Sequence, residues 1–276
     1  MNGPTTPAAP TAPTGGPVLD VSGTAPVPFR RLVLVELRKS YDTRAGFWLL
    51  MTIGILVALV EGFILVATLV QETVIYYEDF AVTASLLTSI LLPVLAIMLV
   101  TSEWTQRGAM VSFSLEPRRL RVVLAKLVVS VLLGLATLVF ALVLAVALTA
   151  ICEAVQPDLT EWQIDAEFFP GFTIVQLCTM AVGFAIAALL LNTPAAIVLF
   201  FVYWYALPGI LAAVGTIRDW LGDALEWINF RAAMVPVLDW ELDSGEEVGK
   251  FVVSGLVWIV LPLVLGVIRI LRTEVK

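Results

Sequence analysis

The sequence predicts an all-α integral membrane protein with six transmembrane helices and both termini on the cytoplasmic side. Three observations predict it. Hydrophobic residues make up 60% of the 276 residues and charged residues only 14%, against roughly half and a quarter in soluble domains. The apolar residues fall into long blocks, each able to cross a hydrocarbon core of roughly 30 Å at about 1.5 Å per residue. Of the 16 Lys and Arg residues, 13 lie on one side of those blocks, and that side is the inner one.

Residues 1–26 are rich in Pro, Thr, Ala and Gly and contain no apolar run, the composition of a disordered tail. They lack the charged start and apolar core of a signal peptide. Residues 27–276 are then one six-span membrane domain, opened by an interfacial connecting segment over 27–46. Within it, 27–42 reads as an amphipathic helix. Phe29, Val33, Leu34, Leu37 and Tyr41 share one face, and Arg31, Arg38, Lys39 and Asp42 the opposite one. A basic amphipathic helix just before a span lies in the interface plane. The plainer alternative is a charged flank that only fixes topology.

The apolar blocks run over residues 47–70, 80–102, 122–151, 172–191, 194–217 and 251–271. The third is overlong and is expected to tilt or to project into water. Asn192-Thr193-Pro194 is the only break between the fourth and fifth, so those two form a helical hairpin. Five cations precede the first block, five lie in or at the edge of the loop after the second, and three follow the last. The loops after the first and third carry no cation and are acidic. The external loop 218–250 carries Arg218, Arg231 and Lys250 beside eight acids.

Short external helices are expected in that last loop. Over 219–229, Trp220, Leu221, Ala224, Leu225, Trp227 and Ile228 fall on one arc, with Asp219, Asp223, Glu226 and Asn229 on the other. Tryptophans at a lipid–water boundary fit an interfacial or re-entrant helix. A surface helix packed on the outer mouth fits as well. Asp239, Glu241, Asp243, Glu246 and Glu247 read as a solvated acidic face, with a cation site as the minor alternative.

Enzyme chemistry finds little footing. There is no histidine, hence no Ser-His-Asp or Cys-His arrangement and no His-ligated metal. The two cysteines, Cys152 and Cys178, lack CxxC spacing, and neither a metal site nor a disulfide is expected of them. No GxxxxGK[ST] phosphate loop occurs, and the only Gly-Lys pair, Gly249-Lys250, is followed by Phe251. The chain is therefore not expected to hydrolyse ATP by itself.

Two places inside the spans are candidates for a substrate pathway. Glu61 lies well inside the first span, where a carboxylate is costly and defaults to a functional reading; a hydrogen bond to a neighbouring helix or protonation in place is the plainer one. Tyr203, Trp204 and Tyr205 precede Pro208-Gly209, where a proline frees a backbone carbonyl and kinks the helix. Aromatics beside a kink can stack on an apolar substrate, and they can equally serve packing or lipid contact. Gly54, Gly134, Gly183 and Gly266 are expected to serve helix packing.

The basic loop between the second and third spans carries the family signal. Glu103–Lys126 reads EWTQRGAMVSFSLEPRRLRVVLAK. It resembles the first cytoplasmic loop of ABC-2 type transporter permeases, the six-span membrane subunits of type V-like ABC exporters. The matching positions are Glu103-Trp104, Gly108, Pro117-Arg118-Arg119 and Ala125-Lys126. ELRKSYDTRAGFW, from Glu36, is similar to that family's connecting helix, and LLNTPAAIVLFFVYW, from Leu190, to its inner turn and fifth span. The loop departs from the usual form at Ala109, where Thr is frequent, and at Glu116, where a small hydroxyl residue is frequent. Leu191 stands where Arg is common. These departures bear on partner specificity more than on fold.

The resemblance implies a permease that couples ATP hydrolysis on a separate cytoplasmic ATPase, which binds ATP and Mg, to export of an amphipathic drug, antibiotic or lipid. It implies a second permease copy, a bacterial plasma membrane and no nucleic-acid partner. Over 103–121, Glu103, Trp104, Gln106, Arg107 and Gly108 are expected on a short coupling helix in a groove of the ATPase. Arg118, Arg119 and Arg121 are expected to meet ATPase acids or lipid phosphates. Two alternatives stand beside this: a membrane anchor or assembly subunit that transports nothing, and an ion-coupled carrier, disfavoured by the scarcity of charge inside the spans.

Overall fold

The computed structural model describes residues 27–105, 118–162, 168–238, 240–242 and 244–272. Six helices among them are long and apolar enough to cross a membrane, as in an all-α membrane protein. The tail 1–26 and most of the basic loop, 106–117, lie outside the described residues.

A short helix, α1 (Phe29–Asp42), leads into α2 (Arg44–Gln71) through Thr43, whose hydroxyl accepts the Gly46 N–H at 3.2 Å. Then come α3 (Tyr77–Thr105), α4 (Arg119–Val155) and α5 (Phe168–Leu190). The α5 helix ends at Leu191, which takes the left-handed conformation (φ 53°). Asn192 then caps α6 (Thr193–Gly215), accepting the Ala195 N–H at 3.0 Å. This is the hairpin expected from Asn192-Thr193-Pro194, with Pro in the first turn where its missing N–H costs nothing.

Three short helices follow: α7 (Asp219–Glu226), α8 (Phe230–Ala233) and α9 (Val235–Leu238). The last span, α10 (Gly245–Arg272), begins earlier than the sequence reading placed it. The cause is a capping box in which Ser244 Oγ accepts the Glu247 N–H at 3.1 Å and Glu247 Oε2 accepts the Ser244 N–H at 3.2 Å. These polar residues satisfy orphan amides and so extend the helix beyond its apolar stretch. At the same end, β1 (Ile75–Tyr76) and β2 (Thr160–Glu161) pair in parallel and join two loops, and Tyr77 stacks on Trp162.

Packing centres on α3 and α5, whose most apolar windows are 47% and 56% buried, against 11% for α10. Close contacts join α5 to α3, α4 and α10. A Cβ on Gly183 would stand 3.0 Å from the Pro93 carbonyl oxygen, a Cβ on Gly134 2.5 Å from Met180 Sδ, and one on Gly266 2.6 Å from the Ala188 carbonyl carbon. Small residues let helix backbones approach where lipid supplies no hydrophobic drive. Gly54 departs from that expectation, because nothing lies within 4 Å of where its Cβ would be.

The aromatic run in α6 lies on a π-helical turn, Val202–Ala206. Pro208 has no N–H to offer the Trp204 carbonyl, four residues back. Arg231 of α8 fills that vacancy, donating from Nη1 to Trp204 O at 2.8 Å. The guanidinium also stands 5.4 Å from the Tyr205 ring centre. A cation of the acid-rich loop 218–250 thus has a local backbone role.

Candidate functional site

The basic end of the bundle holds four charged groups that the sequence disperses. Glu36 and Lys39 sit three residues apart on α1, Glu103 near the end of α3, and Lys126 near the start of α4. Lys126 Nζ donates to Glu36 Oε2 at 2.6 Å and to the Leu99 carbonyl at 2.9 Å, and lies 3.4 Å from Glu103 Oε1. Lys39 Nζ donates at 2.7 Å to Glu36 Oε1 and at 2.7 Å to Glu103 Oε1. Two ammonium groups and two carboxylates alternate in space. The side chains of Lys126 and Glu36 are 6% exposed and that of Glu103 is 9% exposed. Lys39, the most open, sits outside the spans. Burial works against its charge, and the hydrogen bonds it donates to Glu103 and Glu36 outweigh that, holding its pKa above the ordinary lysine value.

Further polar ties gather at this end. Arg119 Nη1 donates to the Ile270 carbonyl at 2.8 Å, and Arg269 donates to the Leu189 carbonyl. The Thr101 and Thr193 hydroxyls meet at 2.7 Å, and Arg121 Nη2 donates to the Val27 carbonyl at 2.7 Å. Arginines here bond the last carbonyls of α5 and α10, which have no intrahelical partner. The start of α4 is thereby tied to the end of α10, and the end of α3 to the start of α6.

These contacts add a buried polar side to α1. Its face towards the bundle is polar, with Glu36 and Ser40 buried, whereas Leu34 is 61% exposed and Phe29 and Tyr41 are also exposed. Val33 and Leu37 of the apolar stripe are half-buried, and its other three residues are turned outward. The physical reason is that bilayer lipid can cover apolar side chains, while charges leaving water need protein partners.

The residues expected on a coupling helix divide. Glu103 and Trp104 continue α3 instead of starting a separate helix, Glu103 held by the two lysines and Trp104 packed on the main core. No Gly or Pro interrupts Thr101–Thr105, so nothing stops the helix there. Gln106, Arg107 and Gly108 lie outside the described residues. Arg118 is exposed at the N-cap of α4, and Arg119 is engaged with Ile270.

The pathway candidates lie in different clusters. Glu61 is 1% exposed, and neither carboxyl oxygen has a hydrogen-bond partner among the described residues. One turn before it, Val57 packs with Ala84 and Ala141. Tyr203 and Trp204 belong to the main core with Phe200 and Phe230. Tyr203 lies against Trp258 of α10 with ring centres 4.2 Å apart, and its hydroxyl has no partner among the described residues. Only Tyr205 of the three is exposed, at 46%. Cys152 and Cys178 are free thiols.

The sequence reading placed Lys126 at the loop edge and in the family motif, and Glu36 and Lys39 in the stretch similar to a connecting helix, without joining the three to Glu103. A signal was available. Glu36 and Lys39 are an i, i+3 pair, and Glu103 and Lys126 flank the basic loop symmetrically. The arrangement can hold α1 to the two roots of that loop. No family model matches this chain, and no curated protein matches it.

Proposed function

We propose that this chain is the transmembrane permease subunit of an ABC-2 type exporter. In this reading, both termini are cytoplasmic in a bacterial plasma membrane, two copies form the pathway, and a separate ATPase binds ATP and Mg. ATP hydrolysis there drives export of an amphipathic drug, antibiotic or lipid.

The observation that carries the reading is the cluster at the basic end. Glu103 and Lys126 root the two arms of the basic loop, and both are bonded through Lys39 and Glu36 to α1. A protein that grips the loop must move α1 and the start of α2 with it, because separating buried ion partners costs several kcal/mol. Two discrete arrangements of the spans, each favoured by one state of the ATPase, then give transport.

The test is topological first. With Gly108→Cys, a membrane-impermeant maleimide is expected to label inside-out vesicles and leave intact cells unlabelled; labelling only from outside the cell sinks the reading. In the second step, the chain is purified with its ATPase and reconstituted. ATP-dependent uptake of an amphipathic dye into inside-out vesicles is expected, with loss on Arg107→Glu. A complex that hydrolyses ATP and moves nothing identifies an anchor subunit instead.

A further inference from the structure

A half-open cavity of about 530 Å³ lies at the acidic end, between the end of α6, α7, the α8–α9 segment and the start of α10. Its size falls within the range of about 300–1,000 Å³ usual for small-molecule sites. Helical spacing assembles it. Gly222, Leu225 and Glu226 recur at three and four residues and share one face of α7. Glu247 and Lys250, three apart, share one face of α10. Where α6 meets α7, a Cβ on Gly222 would stand 3.2 Å from the Gly215 carbonyl oxygen. Two glycines thus let the backbones touch, and both line the cavity. Leu211, Ala212, Leu225, Ala232 and Pro236 give it an apolar wall, and Glu226, Glu247 and Lys250 a charged one.

We infer that this cavity binds an amphipathic organic cation, an ammonium group on an apolar body, with the ammonium on Glu247 and Glu226 and the body on Leu211, Leu225 and Pro236. Three observations carry it. The first is charge. Lys250 is shared between Glu226 at 2.7 Å and Glu246 at 2.8 Å. With Glu247, three carboxylates stand against that one ammonium, so a second cation still meets a negative surplus. Arg231 does not line the cavity, being turned to the Trp204 carbonyl and the Tyr205 ring. The second is free acceptor capacity. Glu247 is half-buried and forms no ion pair among the described residues; its Oε2 accepts the Ser244 N–H, and its Oε1 accepts nothing among them. Glu226 meets Lys250 through Oε2 and leaves Oε1 open among them. A carboxylate offers about four lone-pair sites, so an incoming N–H donor need not displace Lys250. The third is the apolar wall, which an inorganic cation leaves uncovered and a hydrocarbon body fills. Such a site takes its ligand whether or not the chain transports anything.

The full chain, purified in neutral detergent, is irradiated with an aryl diazirine that carries a benzylamine, and in parallel with the matching benzyl alcohol. Adducts are mapped by proteolysis and mass spectrometry. The amine is expected to label the segments around Leu211 and Leu225–Pro236 about tenfold more than the alcohol does, the ratio that one good ionic contact supplies. Glu247→Gln removes charge and keeps an oxygen to cap α10. Combined with Glu226→Gln, it is expected to bring the amine down to the level of the alcohol, with labelling by the alcohol unchanged as the sign of an intact fold. Ala212→Trp, at an exposed position on the apolar wall, is expected to lower labelling by both probes. On the unsubstituted chain, phenylbutylamine is expected to suppress labelling by the amine and phenylbutyrate to leave it. Equal labelling by amine and alcohol overturns the cation assignment, as does suppression by phenylbutyrate or an amine excess that survives the double substitution. Labelling no higher at the cavity than on the exposed surface around Phe63 overturns the site itself.

Discussion

The two ends of the bundle use the same chemistry in opposite ways. At the basic end, two lysines and two glutamates are interlocked inside the protein, three of the four side chains less than 10% exposed. At the acidic end, Lys250 bridges Glu226 at 2.7 Å and Glu246 at 2.8 Å, with the two carboxylate side chains 62% and 65% exposed. Pair distances are alike and surroundings are not. In water an ion pair gains little, because solvent already satisfies both charges. Inside the protein the same pair has no alternative partner, so removing one member is far more costly than the pair's net worth. Ion-pair distance alone therefore says little about what holds this molecule together.

The sharpest way to break the comparison is Lys126→Met. It leaves Glu36 and Glu103 buried with one fewer ammonium, and a loss of about 3–5 kcal/mol is expected, read as thermal unfolding in detergent. Replacing all four cluster residues by apolar ones of similar volume should restore much of that stability, since the cost lies in an unpaired buried charge. If the single substitution is silent, the cluster is wet and the contrast fails.

Next is backbone proximity at the basic end. Gly266→Val places a side chain where even a Cβ would stand 2.6 Å from the Ala188 carbonyl carbon and 2.7 Å from the Leu189 nitrogen. Overpacking of about 1–3 kcal/mol is expected. The same change at Gly209, where nothing lies within 4 Å, should cost less, and equal losses would refute the close approach.

Arg231→Met tests a place where the backbone at the acidic end depends on a specific cation. Trp204 O loses its donor, and about 1–3 kcal/mol is expected, with altered tryptophan fluorescence because Trp204 is in the core. Lys250→Met should change stability by about 1 kcal/mol or less. A loss as large as that of Lys126→Met would erase the distinction between the ends.

The smallest effect is that of pH on Lys39. Its pKa is raised, so the stability it contributes is fully present below the ordinary lysine value of 10.5 and lost as pH rises through the higher folded value. Accessibility of a cysteine placed at Ser40, buried beside it, should stay constant through neutral pH and rise only in strong alkali. A change near neutrality would show that Lys39 does not hold α1.

Much of this was legible beforehand, and the misses have causes. The hairpin at Asn192-Thr193-Pro194 was readable because a cap and a proline are local signals. The early start of α10 was missed because a capping box extends a helix through polar residues that hydropathy assigns to a loop. The amphipathic pattern of α1 was real, but it did not say which face meets protein, because in a membrane the apolar face can stay outside. The π turn in α6 came with its proline in view, yet the donor that compensates it comes from Arg231, 27 residues away.

Sequence alone determined which stretches prefer lipid, where the turn at Asn192-Thr193-Pro194 falls and how charge sorts between the two ends. Each of these is a sum over neighbours in the chain, and hydropathy, capping and the positive-inside bias are such sums. Only the tertiary structure decided that Glu36 and Lys126, 90 residues apart, share a proton-bearing contact of 2.6 Å while Glu61 faces no polar partner among the described residues. Charge pairing depends on distance in space and on exclusion of water, and neither is written in the order of residues.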